Sequence, residues 1–376
     1  MFLLDTNIVS ELRRPERADA RVRAWAAATP LEFYAISVVT LQELERGTLL
    51  MERRNAQQGA VLRRWLEDEV VKRLALRILP IDSAIARLCA RLHVPDPRPE
   101  RDALIAATAL VHGLVAQCDR VFHLAAAVGV KYVLENPLRS LLTNIRGTEV
   151  VLEAAQAHRR KVILTSSSEV YGKGVSVPFC EDDDRLIGPT HKLRWSYACG
   201  KAVDECLAQA YYQQHQLPVV IVRCFNTCGP RQSSAYGMVI PSMVQRALAG
   251  DPIHVYGDGQ QSRCFSAVSD VVRAMTLLAD KPEAEGQVFN AGSDEEVTVL
   301  ELAKRIKRLC QSDSPIELLP YEQVYGQSFE DMRRRVPDLQ KIRRFVGYPS
   351  ALAPQGRLLH AMFGRKVAST RGEAGL

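Results

Sequence analysis

The sequence predicts an α/β protein assembled from two incomplete fragments. Three observations carry this. From residue 120 onward strands and helices alternate, which is the rhythm of a parallel sheet. The first 114 residues hold a strand–helix alternation of their own, with a different set of polar residues. Before residue 120 the only glycines are Gly47, Gly59 and Gly113, too sparse for the G-x-x-G-x-x-G loop that opens a dinucleotide-binding sheet.

Taken in order, residues 2–5 (Phe-Leu-Leu-Asp) read as a short buried strand. Asp5-Thr6-Asn7 opens a helix that Pro15 ends. Residues 33–39 form a second strand, 40–56 a helix, and 60–73 an amphipathic, Arg-rich helix. Residues 77–81 form a third strand, followed by a helix over 83–92. Three prolines in Val94–Pro99 make the clearest break. Asp102 to Val111 is helical with a stop at Gly113. Then come a strand at 120–125, a helix at 146–157, a strand at 161–166, a helix at 197–215 and a strand at 218–223. The last third adds a helix over 241–249, a turn at Tyr256–Gly259, a helix from Leu300 and the basic run Arg333–Arg335. Residues 366–376 read as a frayed tail.

Composition narrows the classes. A hydrophobic fraction of 47% supports a packed core. No apolar run approaches the ~20 residues needed to cross a bilayer, and Met1-Phe2-Leu3-Leu4-Asp5 has no secretion-signal pattern. Nine scattered cysteines without a C-x-x-C argue against a disulfide framework and fit a reducing cytoplasm. Cys224 and Cys228 read as small buried thiols, since no second pair completes a metal site. The net charge of +6 suits a phosphate-bearing partner without separating RNA from a sugar diphosphate.

The first polar pattern is Asp5, Glu43 and Asp102. In a parallel α/β fold, strand ends and adjoining helix starts meet on one rim. Carboxylates gathered there make an oxygen site for Mg²⁺ or Mn²⁺, which activates water against a phosphodiester. Singly, each has a plainer reading: Asp5 and Asp102 as helix N-caps, Glu43 as a solvated residue. As a set, Leu3-Leu4-Asp5-Thr6-Asn7-Ile8-Val9-Ser10-Glu11-Leu12, Leu41-Gln42-Glu43-Leu44-Glu45-Arg46-Gly47 and Asp102-Ala103-Leu104-Ile105-Ala106-Ala107-Thr108 resemble the PIN-domain ribonucleases of toxin–antitoxin systems, over roughly residues 1–114. The resemblance implies a Mg²⁺-dependent ribonuclease with Asp5, Glu43 and Asp102 as metal ligands, RNA as substrate and a cognate antitoxin as partner. The segment that supplies a fourth acid in that family is absent; Asp119 is a substitute by proximity alone.

The second pattern is Tyr197-Ala198-Cys199-Gly200-Lys201, downstream of a strand ending in Thr165-Ser166-Ser167-Ser168-Glu169. Tyr197 and Lys201 lie four apart on a helix and share a face. An ammonium beside a phenol lowers its pKa, so the tyrosine can take a proton from a sugar hydroxyl while hydride leaves to a nicotinamide. With Val121–Ala126, Asn144, Arg223–Arg231 and Val255–Phe265, this makes residues 118–365 resemble the extended short-chain dehydrogenase/reductases, specifically the NAD-dependent epimerase/dehydratase group. The resemblance implies Ser167, Tyr197 and Lys201 as the catalytic triad, with Glu169 in place to assist proton handling or to form a local salt bridge. Leu124, Ala125, Ala126 and Asn144 would lie on the NAD side, and Asn226, Arg263 and Arg335 on the nucleotide diphosphate. Ser168-Glu169 and Gln261-Ser262-Arg263 look more like UDP-glucuronate decarboxylases and UDP-sugar 4-epimerases than dehydratases.

The fold expectation is therefore a truncated PIN-like domain (1–116) joined to a truncated Rossmann-type dehydrogenase domain with a smaller substrate subdomain (117–365), then a tail (366–376). Pairing of Arg120–Ala125 with Phe2–Asp5 would merge both into one hybrid parallel sheet. The main function expected is NAD-dependent epimerisation or decarboxylation of a UDP-sugar, with NAD affinity much reduced by the missing loop. The alternatives are the ribonuclease and a non-catalytic UDP-sugar binder. Homodimerisation through 146–157 and 197–215 is implied by the resemblance alone.

Overall fold

The computed structural model describes residues 2–348 except 14–17, 19, 94–99, 114–117, 175, 230–231, 233, 235–237 and 326–329; of 20–21, 92–93 and 100–102 it describes the backbone only. The expected break at Val94–Pro99, the junction at 116/117, Arg231 and the tail at 366–376 lie outside the described residues. The chain forms two compact units, Met1–Asp119 and Arg120–Leu376.

In the first unit, β1 (Phe2–Leu4), β2 (Tyr34–Ser37) and β3 (Ile78–Leu79) form a parallel sheet in the order β1-β2-β3. Strand β2 stops at Ser37, two residues short of expectation. There the Ser37 hydroxyl accepts the Thr40 N–H at 3.0 Å and caps the helix Val38–Arg54. The Arg-rich helix is not uniform: Ala56–Trp65 runs into a wider turn over Leu66–Val71. Leu66 and Val70 in that turn pack with Tyr34, Ile36 and Leu44 in the core of this unit.

In the second unit, β4 (Arg120–His123), β5 (Lys161–Ser167), β6 (Val219–Cys224) and β11 (Gln287–Ala291) form a parallel sheet in the order β11-β6-β5-β4. One face packs on the helices Pro137–Ala157 and Ser196–His215 through Leu152, Leu164, Ala208 and Ile221. The other packs on Val268–Ala279 and Gln340–Val346 through Val220, Val222, Leu278 and Ile342. A smaller layer, with β8 (Ile253–Tyr256) parallel to β13 (Ile316–Leu319), is covered by Val239–Ala249 and Val299–Cys310. Near it β9 (Ser262–Cys264) runs antiparallel to β12 (Glu296–Thr298), and β7 (Thr227–Cys228) parallel to β10 (Ser266–Ala267). The helix expected from 146 begins at Pro137, which fits a first turn because its missing N–H has no helical partner there.

The hybrid sheet is not formed. Among the described residues β1 pairs only with β2, and β4 only with β5, from Arg120↔Lys161 to His123↔Leu164. The expected strand to Ala125 also ends at His123, whose carbonyl accepts the Thr165 hydroxyl at 2.9 Å. Each strand thus finds its partner inside its own unit.

Candidate active site

Ser167 is the last residue of β5, paired in register with Cys224 on β6. It caps the short 3₁₀ turn Ser168–Tyr171 by accepting the Glu169 N–H at 3.3 Å. The helix Ser196–His215 presents Tyr197 and Lys201 one turn apart, and brings the Tyr197 phenol close enough to the Ser167 side chain to feel its polarity. Strand end, turn and helix start thus bring the expected Ser–Tyr pair together.

Lys201 departs from expectation. Its buried ammonium donates to the Thr165 carbonyl at 3.0 Å and to Asp204 Oδ2 at 3.0 Å. The other oxygen of the fully buried Asp204 carboxyl, Oδ1, has no hydrogen-bond partner; Thr148, whose hydroxyl lies 3.2 Å from His123 Nε2, is close enough to lower the carboxyl's pKa. Burial pushes the Asp204 carboxyl up, against the pull of Lys201. Burial, aided by the Lys201 charge, pushes His123 down to about 4. The phenol is not lowered either: burial first, then Glu169, raises Tyr197 well above its ordinary range, and the Ser167 side chain only partly opposes this. The ammonium expected to tune the phenol is already matched by a carboxylate.

Glu169 is a buried ion-pair centre. Arg194 approaches its Oε2 at 2.7 Å and its Oε1 at 2.9 Å, and Arg335 approaches Oε1 at 2.8 Å. Burial alone would raise this carboxyl; the guanidiniums of Arg194, Arg335 and Arg263 outweigh it and hold the group below the usual carboxylate range. Glu169 therefore acts as fixed negative charge, and the local salt-bridge reading is the one realised. Arg263 donates to the Ser262 and Met332 carbonyls at 2.8 Å each and to Asp331 at 2.7 Å. Three buried guanidiniums thus face two carboxylates, and Arg335 Nε is buried without a hydrogen-bond partner. An anion would satisfy the surplus. Asn226 Nδ2 donates to the Cys264 carbonyl at 3.2 Å, which fixes its amide near this wall.

On the β4 side, Leu124 and Ala125 are exposed and Ala126 half-buried. Both ends of the Asn144 amide are engaged by Ala127, accepting its N–H at 2.6 Å and donating to its carbonyl at 3.2 Å. Asn144 therefore shapes the loop after β4 and does not reach past it.

A dinucleotide needs protein at both ends. The nicotinamide end would meet Ser167, Tyr197, Lys201 and the loop after β4. The pyrophosphate and adenosine end needs a glycine loop on strands beyond β4, and β4 is the edge strand of this sheet as far as it is described. Among the described residues this unit offers side chains to the nicotinamide end of NAD, with Lys201 already engaged, and none built for its adenosine end.

In the first unit a cavity of about 810 Å³ is lined by Asp5, Thr6, Asn7, Glu43 and Arg46, with Ile105 and Ala106. Asp5 is a helix N-cap, its Oδ1 accepting the Ile8 N–H at 2.9 Å, while Thr6 donates to Glu43. Asp102 lies in the helix Glu100–Val111, but its side chain is outside the described residues. Among the described residues no group of three His, Cys, Asp or Glu is placed to hold a metal ion.

Sequence reasoning missed Arg194, Asp204, Asp331 and His123. Two had a signal: Arg194 precedes Tyr197 by three residues, and Asp204 follows Lys201 by three, one helical turn in each case. Asp331 and His123 had none, because their partners are distant in sequence.

Two family models match the chain: the NAD dependent epimerase/dehydratase family over residues 87–292 and the PIN domain over 2–128. The chain is 46% identical over 248 residues to UDP-N-acetyl-alpha-D-glucosaminuronate decarboxylase of Bacillus cytotoxicus, covering 65% of this chain and 76% of that protein. It is 35% identical over 239 residues to UDP-glucuronic acid decarboxylase 1 of Danio rerio, covering 64% of this chain and 55% of that protein. Among solved structures it resembles an epimerase of Methanothermobacter thermautotrophicus, with a TM-score of 0.62 and 27% identity over 70% of this chain and 77% of that one. It also resembles a UDP-N-acetylglucosamine 4-epimerase of Methanobrevibacter ruminantium in complex with UDP-N-acetylmuramic acid, with a TM-score of 0.60 and 26% identity over 69% of this chain and 81% of that one.

Proposed function

The chain belongs to the NAD dependent epimerase/dehydratase family, and from that premise we propose that its second unit acts on a UDP-hexuronate as a decarboxylase or 4-epimerase. The observation that carries this is the approach of Tyr197 to Ser167 beside the buried Glu169–Arg194–Arg335 cluster. Tyr197 and Ser167 would hold the proton of the reacting sugar hydroxyl between them. The surplus guanidinium charge would receive an acidic group, a sugar carboxylate or a diphosphate oxygen, with Arg263 and Asn226 on the nucleotide side. NAD, when bound, supplies the hydride acceptor; Leu124, Ala125, Ala126 and Lys201 would lie at its nicotinamide end. The test is to incubate the full chain with UDP-glucuronate and NAD and to follow UDP-pentose or C4-epimer by chromatography. Product formation lost in Tyr197→Phe supports the reading; no product at any NAD concentration rejects it as a working enzyme.

A second reading concerns the first unit and rests on Asp5 and Glu43 lining one cavity. It is a PIN-type ribonuclease holding Mg²⁺ with Asp5, Glu43 and Asp102, cutting RNA and inhibited by an antitoxin. Mg²⁺-dependent RNA cleavage lost in Asp5→Ala tests it. In the same sense we take the domains to run over 1–116 and 117–365. We place the chain in the cytoplasm and expect a homodimer through the helix pair that exposes Leu138 and Val203, which light scattering checks. No described helix is long and apolar enough to cross a membrane.

A further inference from the structure

We infer that the nucleotide-sugar site loads without NAD, so that UDP-sugar affinity and NAD affinity are uncoupled in this chain; this rests on the UDP-sugar reading above. Two independent observations carry it. The first is the sheet boundary. In the order β11-β6-β5-β4 the strand β4 is an edge among the described residues, and no glycine loop precedes it in sequence. The adenosine and pyrophosphate of NAD, which carry most of its hydrogen-bonding groups, meet nothing in this unit built for them. The second is Lys201. Its ammonium is buried, 3.0 Å from Asp204 Oδ2 and 3.0 Å from the Thr165 carbonyl, and Asp204 is itself buried beside Thr148. To hold a ribose, the lysine would use its one remaining donor with its charge already neutralised. Both ends of the grip on NAD are therefore weak.

The nucleotide-sugar wall has no such defect. Arg263, Arg335, Arg194, Glu169 and Asp331 are all held within Arg120–Tyr348 by one another and by backbone carbonyls. Asn226 is held by Cys264, also inside the unit. These residues need neither strands beyond β4 nor a bound nicotinamide for their positions. A UDP-sugar should therefore bind a preformed site at no ordering cost from the cofactor.

The experiment is calorimetric titration of the full wild-type chain with UDP-glucuronate, with and without about 1 mM NAD, and with NAD alone. The expected result is saturable UDP-glucuronate binding whose affinity changes less than about two-fold with NAD, and no saturation by NAD alone up to about 1 mM. A saturable NAD isotherm with Kd below about 0.1 mM, or a ten-fold or greater gain in UDP-glucuronate affinity on adding NAD, overturns the inference and leaves the UDP-sugar reading standing. Absence of UDP-glucuronate binding to a chain with a cooperative thermal transition overturns the UDP-sugar reading, and the inference with it.

Discussion

Replacing Glu169 by glutamine keeps the side chain's shape and removes its charge. In the folded chain the carboxylate lies 2.7 Å from Arg194 and 2.8 Å from Arg335, with all three side chains buried. Glu169→Gln leaves the guanidiniums of Arg194, Arg263 and Arg335 facing Asp331 alone. Breaking a buried ion pair from one side costs about 3–5 kcal/mol. The amide oxygen still accepts one hydrogen bond, worth about 1 kcal/mol, so the net loss should be about 2–4 kcal/mol. Urea unfolding read through Trp195, which stacks against Arg194 with 5.5 Å from guanidinium to ring centre, should report it. With a slope of about 2–3 kcal/mol/M, the midpoint should fall by roughly 1 M. The pH dependence has a definite sign. Glu169 is depressed in the folded state, so its stabilisation is present above the unfolded value of 4.5 and is lost as pH falls below it. The gap between wild type and variant should hold from neutral pH to about 5 and narrow in more acid solution. A midpoint within about 0.2 M of wild type at neutral pH would refute the claim that Glu169 neutralises buried guanidinium charge.

Tyr197→Phe should lower any sugar-nucleotide turnover by about 10²–10⁴-fold while leaving UDP-glucuronate affinity unchanged, as calorimetry beside a product assay would register. His123 is held down to about 4 in the folded state against 6.5 when unfolded, so the unfolded chain binds the proton first. Stability should therefore fall as pH is lowered from 6.5 towards 4, and His123→Gln, measured by thermal melting, should flatten that slope. Asp5→Ala removes the cap on Ile8 N–H and should destabilise the first unit by about 1 kcal/mol, read by urea titration of Trp25 and Trp65 fluorescence.

How much was legible depended on the range of the interactions. The placing of Tyr197 and Ser167 was legible because Tyr197 and Lys201 sit one turn apart and Ser167 ends a strand whose Val162, Ile163 and Leu164 are wholly buried. The sparse glycines before residue 120 are a sequence fact that needed no structure. Strand ends were less so: β2 stops at Ser37 because a hydroxyl three residues before Thr40 captures a backbone N–H, a local contest that hydrophobic pattern does not register. The helices Val130–Glu135 and Val268–Ala279 and strand β11 went unread. The charge state of the site was not legible at all. Glu169 meets Arg335 across 166 residues of chain, and His123 meets Thr148 across two elements, so no window of sequence holds both partners. The expected pairing of Arg120–Ala125 with Phe2–Asp5 rested on both being short parallel-type strands, which does not say which neighbour each one's hydrogen bonds prefer.

The same local pairing bears on how the second unit holds its candidate site. A parallel sheet is stabilised by the helices on its faces as well as by strand neighbours. Here Leu152, Leu164, Ala208 and Ile221 pack on one face, and Val220, Val222, Leu278 and Ile342 on the other. Neither group draws on a residue before Arg120. The small layer around β8 and β13 closes its own core through Met243, Val255, Leu302 and Ile306. The polar wall is fixed between these cores by Phe225 and Trp195, both fully or almost fully buried. Ser167 ends β5 and Arg263 lies on β9, while Tyr197 and Arg194 come from the helix Ser196–His215 and the short turn before it. The arginine wall is therefore held by cores and backbone of its own unit, which is the condition under which UDP-sugar could bind independently of NAD.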